Sequence, residues 1–207
     1  TLSRAREKPM PEHPAPPRPL RAEGQVRGLH SLSSQEQAKV RSANSFIDFT
    51  FQEAGKAVAR GAAAILESPE RSWLWRFQQA AELRRAPGWL RVLYAACAWG
   101  GARCKKQALE GNVQEIARLE AGCNHLRSKD EWQPRREADG RWVYPSSGEA
   151  EYTAELAFGI AVALSWWAAR TGRAKLHVPR APVPQSAGSR VGWAEVAAQE
   201  AREWAMA

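Results

Sequence analysis

The sequence pattern around Glu67 predicts a carboxylate in a position that a substrate could reach. The segment Ala62-Ala-Ala-Ile-Leu-Glu67-Ser-Pro69 is a short apolar run that follows a helical pattern and ends in Glu67. This pattern predicts a buried strand, with Glu67 at its carboxyl end and Pro69 stopping it. Ligands of open α/β sheets bind outside the carboxyl ends of the strands, so Glu67 is a candidate catalytic acid. The alternative interpretation is a strand-end glutamate that points into water.

Two further segments form an ordered trio with the one around Glu67. The trio consists of Thr1-Leu-Ser-Arg-Ala-Arg-Glu7, Glu67-Ser-Pro-Glu-Arg-Ser-Trp-Leu-Trp75 and Ala98-Trp-Gly-Gly-Ala-Arg-Cys-Lys-Lys106. It resembles the DNA (cytosine-5) methyltransferase-like domains of retroelement-type polyproteins. Cys123-Asn-His125 with Trp132, and Ala150-Glu-Tyr152, resemble later elements of that family, so the resemblance spans about residues 1–165.

The resemblance implies an α/β fold, a partial doubly wound, Rossmann-like methyltransferase sheet with flanking helices. It places the nucleophile in a Pro-Cys dipeptide just before Thr1, and it matches Glu67 to the acid of a Glu-Asn-Pro motif, with Ser68 replacing the Asn. Such an acid holds or protonates the cytosine ring nitrogen while a thiolate attacks carbon 6. The implied cofactor is S-adenosyl-L-methionine, whose Gly-rich loop belongs upstream. We therefore expect a fragment that is inactive alone.

The same resemblance assigns substrate and cofactor contacts. The residues matched to substrate binding are Ser3, Arg4, Arg6, Arg103 and Lys105, and those matched to cofactor binding are Tyr152 and Thr153. Arginine suits a phosphate because its planar fork donates two parallel hydrogen bonds. The alternative for Ser3, Arg4 and Arg6 is a frayed basic terminus. The alternative for Arg103 and Lys105 is a solvated loop, and the alternative for Tyr152 and Thr153 is an ordinary helix start. Trp73, Trp75 and Trp99 could form a base-stacking platform or, more commonly, belong to the core.

Charge and cysteine content restrict the partners and the compartment. The 207 residues carry a formal charge of +8, which favours a nucleic acid, DNA before RNA, although the same charge could serve only solubility. Three cysteines without regular spacing favour a reducing compartment, hence the nucleus or the cytoplasm. No apolar stretch is long enough to cross a bilayer, so no membrane partner is expected.

The cysteines are candidate metal ligands. Cys97, Cys104, Cys123 and His125 could together supply a tetrahedral zinc site. However, Cys97 and Cys104 lack the separation of two to four residues that is typical of a zinc knuckle. The spacing therefore predicts buried thiols and no metal.

The remaining pattern divides the chain into three parts. These are an extended Pro-rich basic arm (1–32), an α/β methyltransferase-like domain (33–170), and a basic linker with a short terminal helix (171–207). Within the domain we expect helices at 35–60, 73–85, 112–122 and 148–170, and strands at 62–67 and 89–94. The expected apolar stripe of the first helix contains Val40, Ala43, Phe46, Ile47 and Ala54, and Asn112 is a candidate cap of the third helix. This alternation predicts the second half of a doubly wound sheet.

A second function class fits the same sequence. A noncatalytic nucleic-acid-binding module of a mobile-element polyprotein would keep the basic surface and lose the active site, and Ser68 in place of the family's Asn agrees with that. A decayed product without activity is a third hypothesis.

Overall fold

The computed structural model describes residues 18–123, 135–143 and 152–175 and has a mixed α/β fold. Its α-helices are α1 (Ser34–Ala59), α2 (Gln78–Leu83) and α3 (Ala154–Arg170). Its strands are β1 (Ile65–Pro69), β2 (Leu90–Ala95), β3 (Lys106–Gly111), β4 (Arg135–Arg136) and β5 (Trp142–Val143). Short 3-10 helices span Trp73–Arg76, Ala96–Trp99 and Gln114–Leu119.

The main sheet is antiparallel, whereas the sequence predicted part of a parallel, doubly wound one. β3 lies between β1 and β2 in a small three-stranded antiparallel sheet, and β4 pairs with β5 separately. Strand β3 was not predicted at all. Only residues 96–105 connect β2 to β3, and a parallel connection needs a crossover of a dozen or more residues. The short connection therefore accounts for the antiparallel direction.

By its contacts the chain divides into two compact units. Among the described residues, the first comprises 18–91 and 107–113, and the second comprises 92–106, 114–123, 135–143 and 152–175.

Helix α1 of the first unit follows the sequence prediction closely. Its N-cap is Ser33, whose side chain accepts from the Glu36 amide while the Glu36 carboxylate accepts from the Ser33 amide, a capping box. The helix ends before Gly61, whose φ of +65° suits glycine. Its buried residues are Val40, Ile47, Phe51 and Ala54, and Phe46, which was expected in the apolar stripe, is 72% exposed.

The core of the first unit forms where α1 meets the segment after β1. Its buried members are Ile47, Phe51, Leu74, Trp75, Phe77, Ala80 and Ala108, with Leu66 packed against them. Trp73 is also buried. The tryptophans of this segment are thus core residues, as the commoner interpretation of them held, because their large apolar surface is removed from water.

Several predicted boundaries are corrected. Strand β1 begins at Ile65 and includes Pro69, which an edge strand tolerates, so Glu67 lies at its middle. The helix expected over 73–85 is a 3-10 turn followed by α2. Asn112 does not cap a helix, because its amide bridges the Ala64 amide and the Ala62 carbonyl oxygen. The helix expected from 148 begins at Ala154.

Residues 18–32 were expected to continue an extended arm, but they pack on α1. Leu20 and Leu32 are buried with Val40. The Arg21 guanidinium, 2% exposed, donates to the Val26 carbonyl oxygen and to Asn44 Oδ1. Burial and the charge of Arg27 lower the pKa of Arg21. The buried side chains of Leu20 and Leu32 thus hold this segment on the helix.

The second unit is built around α3. Thr153 is its N-cap and accepts from the Leu156 amide. Gly159 lets the helix approach Trp99 and Leu119, since a Cβ there would lie 2.8 Å from Leu119 Cδ2. At the other end, Arg170 forms an ion pair with Glu115, which raises the pKa of the arginine.

A buried carboxylate organises β3 in the first unit. Glu110 is 1% exposed and forms two hydrogen bonds with Arg84, of 2.8 and 2.6 Å. Arg91 donates to Glu110 at 2.9 Å and Trp89 Nε1 donates at 3.4 Å. The other donors of the two arginines reach the carbonyl oxygens of Trp75 and Glu70. The buried negative charge is therefore fully compensated.

Glu110→Gln should lower the free energy of unfolding by about 3 kcal/mol, because it leaves two guanidinium groups beside a neutral amide. The value is at the low end for a buried pair because Arg84 and Arg91 remain about one third exposed. Urea denaturation of this variant and of Glu53→Gln measures the effect. Glu53 pairs with Lys56 at the surface, and its loss should cost less than about 0.5 kcal/mol. Equal losses would contradict the assignment.

The capping box predicts an acid-labile contribution to stability. Hydrogen bonds from Arg18 and from the Ser33 amide lower the pKa of Glu36 from 4.5 to about 2. Because the folded-state pKa is the lower one, the contribution is present above about pH 4.5 and is lost as the pH falls toward 2. In urea titrations across this range, Glu36→Gln should flatten the loss of stability with pH. Parallel curves for the two proteins would refute the prediction.

Candidate functional site

Strand β1 presents Glu67 on the face of the sheet away from the α1 core. Glu67 pairs with Leu109, whereas Leu66 pairs with Glu110 and Ser68 pairs with Ala108. Leu66 and Ala108 belong to the core cluster. Since successive side chains of a strand alternate between faces, Glu67 points to the opposite face. Its side chain is half-buried, so the solvated strand-end alternative does not describe it fully.

Gln107 shares the face of Glu67 and was not singled out from the sequence. It lies two residues before Leu109 on β3 and pairs with Pro69. Gln107 is 6% exposed, and its Oε1 has no hydrogen-bond partner among the residues that the structure describes. Buried amide oxygens nearly always have a partner, so this atom marks a place for a donor. The sequence carried no signal for it because β3 was not predicted.

The turn after β1 is fixed by hydrogen bonds to the Pro69 carbonyl oxygen. The Ser72 amide donates to it at 2.8 Å and Trp75 Nε1 donates at 2.9 Å. The Ser72 hydroxyl then accepts from the Leu74 amide and begins the 3-10 helix. The Glu-Ser-Pro segment is thus anchored by the buried tryptophan that follows it.

The fold requires glycine at both positions of the Trp99-Gly100-Gly101 segment. Gly100 adopts a φ of +83°, and a Cβ there would lie 2.5 Å from Glu155 Oε2. Gly101 donates its amide to the Ala96 carbonyl oxygen, and its Cβ would lie 2.8 Å from that same oxygen. Trp99 is buried and donates from Nε1 to the Leu119 carbonyl oxygen. Trp99 is therefore a core residue.

One of the two predicted cofactor residues, Thr153, contacts this glycine segment. The Thr153 hydroxyl donates to the Trp99 carbonyl oxygen in addition to capping α3. Tyr152 is 57% exposed. The helix-start alternative thus describes Thr153, and the structure joins two segments that the family resemblance had singled out separately.

The residues that were predicted to bind substrate differ in their exposure and in whether the structure describes them. Arg103 and Lys105 are half-buried, and Lys106 is exposed at the start of β3. Ser3, Arg4 and Arg6 lie outside the described residues, as does His125.

The three cysteines, for which the sequence spacing predicted buried thiols and no metal, come together in the structure. All three side chains are half-buried, and the Sγ atoms of Cys97, Cys104 and Cys123 lie within 4.8 Å of one another. No other group of three potential metal ligands occurs in the described part of the chain.

An open groove of about 640 Å³ lies elsewhere in the first unit. Residues 24–30 form one side, and Phe77, Gln78, Gln79 and Glu82 form the other. The guanidinium groups of Arg21 and Arg27 lie 5.6 and 5.4 Å from the centre of the Phe77 ring. Arg27 also pairs with Asp48, which lowers the pKa of that carboxyl. No residue assigned from the sequence lines this groove.

Comparison with known proteins adds no further constraint. No protein-family model, no curated protein and no solved structure matches this chain. No helix among the described residues is both long and apolar enough to cross a membrane.

Gly101→Ala should lower the free energy of unfolding by about 2 kcal/mol, because the added methyl group would overlap a backbone oxygen that cannot move alone. Gly122→Ala is the matched control, since a Cβ there meets nothing within 4 Å. The control should change stability by less than about 0.5 kcal/mol. Chemical denaturation of both variants measures the difference, and an unaffected Gly101→Ala protein would rule out the close approach.

Proposed function

We propose that this chain is the carboxyl-terminal part of an S-adenosyl-L-methionine-dependent DNA cytosine-5 methyltransferase-like protein, in which Glu67 holds the target cytosine. The observation that carries the proposal is the position of Glu67. It is a half-buried carboxylate in the middle of a strand, on the face away from the core, and it shares this face with the unsatisfied amide oxygen of Gln107.

The chemistry of the base fits these two side chains. The Watson–Crick edge of cytosine offers the N4 amino group as a donor and the ring nitrogen N3 as an acceptor. A carboxyl group can accept from N4 and share a proton with N3, which stabilises the ring while a thiolate adds to carbon 6. Gln107 Oε1 would accept a further hydrogen bond from a bound polar group. A cytosine in this position must first leave its base stack.

The presence of Ser68 where the family motif has Asn is compatible with this role of Glu67. Ser68 is buried and lies on the core face with Ala108, so its side chain does not face the side on which Glu67 lies. A doubly wound sheet remains part of the proposal. Support for it is the strand, helix, strand order from β1 through α2 to β2.

The isolated chain should bind DNA without methylating it. The 207 residues contain no Pro-Cys dipeptide, and the Gly-rich cofactor loop is not among them. The net charge of +8 supports affinity for the phosphate backbone, with Arg103, Lys105 and Lys106 as contributors.

A noncatalytic nucleic-acid-binding module is the second candidate. The observation that favours it is the hydroxyl of Thr153, which is engaged by the helix cap and by Trp99 and offers little to a cofactor. The two candidates differ in whether Glu67 recognises a base.

A binding measurement separates the two functions. The probes are fluorescent DNA duplexes that differ only in one unpaired base, cytosine or thymine, with anisotropy followed over a salt series. We expect tighter binding to the cytosine duplex by about tenfold, as one well-placed base contact provides. Glu67→Ala should abolish the preference, because it removes the group that pairs with the base edge.

The controls use the surface glutamate of α1 and the transfer assay. Glu53→Ala should keep both the affinity and the preference, since Glu53 lies at the exposed pair with Lys56. Binding without any base preference would overturn the role of Glu67 and support the noncatalytic module. Loss of binding to both duplexes at low salt would overturn both functions. Transfer of labelled methyl groups by the chain alone would contradict its assignment as a fragment.

A further inference from the structure

The cluster of Cys97, Cys104 and Cys123 brings together three separate segments of the chain. Cys97 lies in the 3-10 helix after β2, Cys104 follows the Gly100-Gly101 turn, and Cys123 follows the 3-10 helix that ends at Leu119. Their Sγ atoms all lie within 4.8 Å of one another. All three belong to the second unit.

Backbone hydrogen bonds fix the three segments close to the sulfur atoms. The Ala96 amide donates to the Lys105 carbonyl oxygen at 2.9 Å. The Ala95 amide donates to the Ala121 carbonyl oxygen at 2.7 Å, and the Ala121 amide donates in turn to Leu93. Each cysteine therefore lies within two residues of a hydrogen bond between segments. The convergence of the thiols follows from the path of the backbone.

The distances suit a small thiolate-bound ion. Zinc binds cysteine sulfur at about 2.3 Å, which separates neighbouring sulfurs of a tetrahedral site by about 3.8 Å. Sulfurs within 4.8 Å of one another reach this geometry by side-chain rotations that move each of them by less than about 1 Å.

The local charge is favourable as well. Three thiolates and one Zn²⁺ ion carry a net charge of −1, and Arg103 and Lys105 are the sequence neighbours of Cys104. Cationic neighbours favour the thiolate, which is the form that binds metal. Soft sulfur ligands select zinc over the hard cations magnesium and calcium.

We propose that Cys97, Cys104 and Cys123 bind a structural Zn²⁺ ion that holds the three segments of the second unit together. The three thiolates supply three of the four positions of a tetrahedral zinc site. The site is independent of Glu67 and of methyl transfer.

Metal content tests the site directly. The full chain, purified under reducing conditions, should contain about one zinc per molecule by elemental analysis, and cobalt exchanged for zinc should give a thiolate-to-cobalt charge-transfer band. Cys104→Ser should lose most of the metal, whereas Cys104→His should retain it, because imidazole also binds zinc. Removing zinc with a chelator should lower the midpoint of thermal unfolding, and adding it back should restore the midpoint.

A ligand-type residue away from the cluster is the control. His30→Ala, at an exposed residue of the first unit, should leave zinc binding unchanged. If Cys104→Ser fails to fold, the zinc content of the unaltered chain and its response to the chelator still test the proposal. A chain that contains no metal and takes up neither zinc nor cobalt when reduced would overturn the proposal. A disulfide between two of the cysteines under the same conditions would do so as well.

Discussion

The burial of the Glu110 carboxylate is the constraint on which the first unit depends. A charge removed from water must be paired and hydrogen-bonded, and here the partners come from two places, Arg84 just after α2 and Arg91 in β2. A shift of β3 by one residue against β1 would move Glu110 to the opposite face and leave both arginines without it. The ion cluster therefore fixes the register that also places Ala108 in the core and Gln107 beside Glu67.

Local signals account for the elements that the sequence predicted well. Helix α1 was predicted within one residue at each end, because Ser33 with Glu36 and the glycine at 61 act through nearby backbone groups. One prediction within α1 was wrong. Phe46 was assigned to the apolar stripe because it is apolar, but its angular position on the helix lies outside the stripe and its side chain is exposed. Asn44 takes a place in that stripe because the buried Arg21 needs a polar partner from a distant segment.

Strand β3 and the features that depend on it could not be predicted in the same way. Its residues, Lys106-Gln-Ala-Leu-Glu-Gly111, combine a buried glutamate and a buried glutamine with two apolar residues, so hydrophobic periodicity does not identify them as a strand. Their burial is made possible by groups elsewhere in the chain, the two arginines for Glu110 and the Ala64 backbone that approaches Gly111. The sequence identified Glu67 as a residue of interest, but only the pairing with β3 reveals its face and its neighbour.

The cysteines show why ligand spacing alone is an incomplete guide. The short separations of zinc knuckles apply where one turn supplies two ligands, and the interval between Cys97 and Cys104 falls outside that pattern. Here a glycine turn reverses the chain between those two cysteines, and hydrogen bonds from residues 93–96 return both Lys105 and Ala121 to the same place. The geometry of the sulfurs is thus a property of the tertiary fold. The sequence motif Trp99-Gly-Gly-Ala-Arg-Cys104, first singled out for a basic contact with DNA, acquires in this way a second physical explanation: its glycines allow the close turn that carries Cys104 to Cys97.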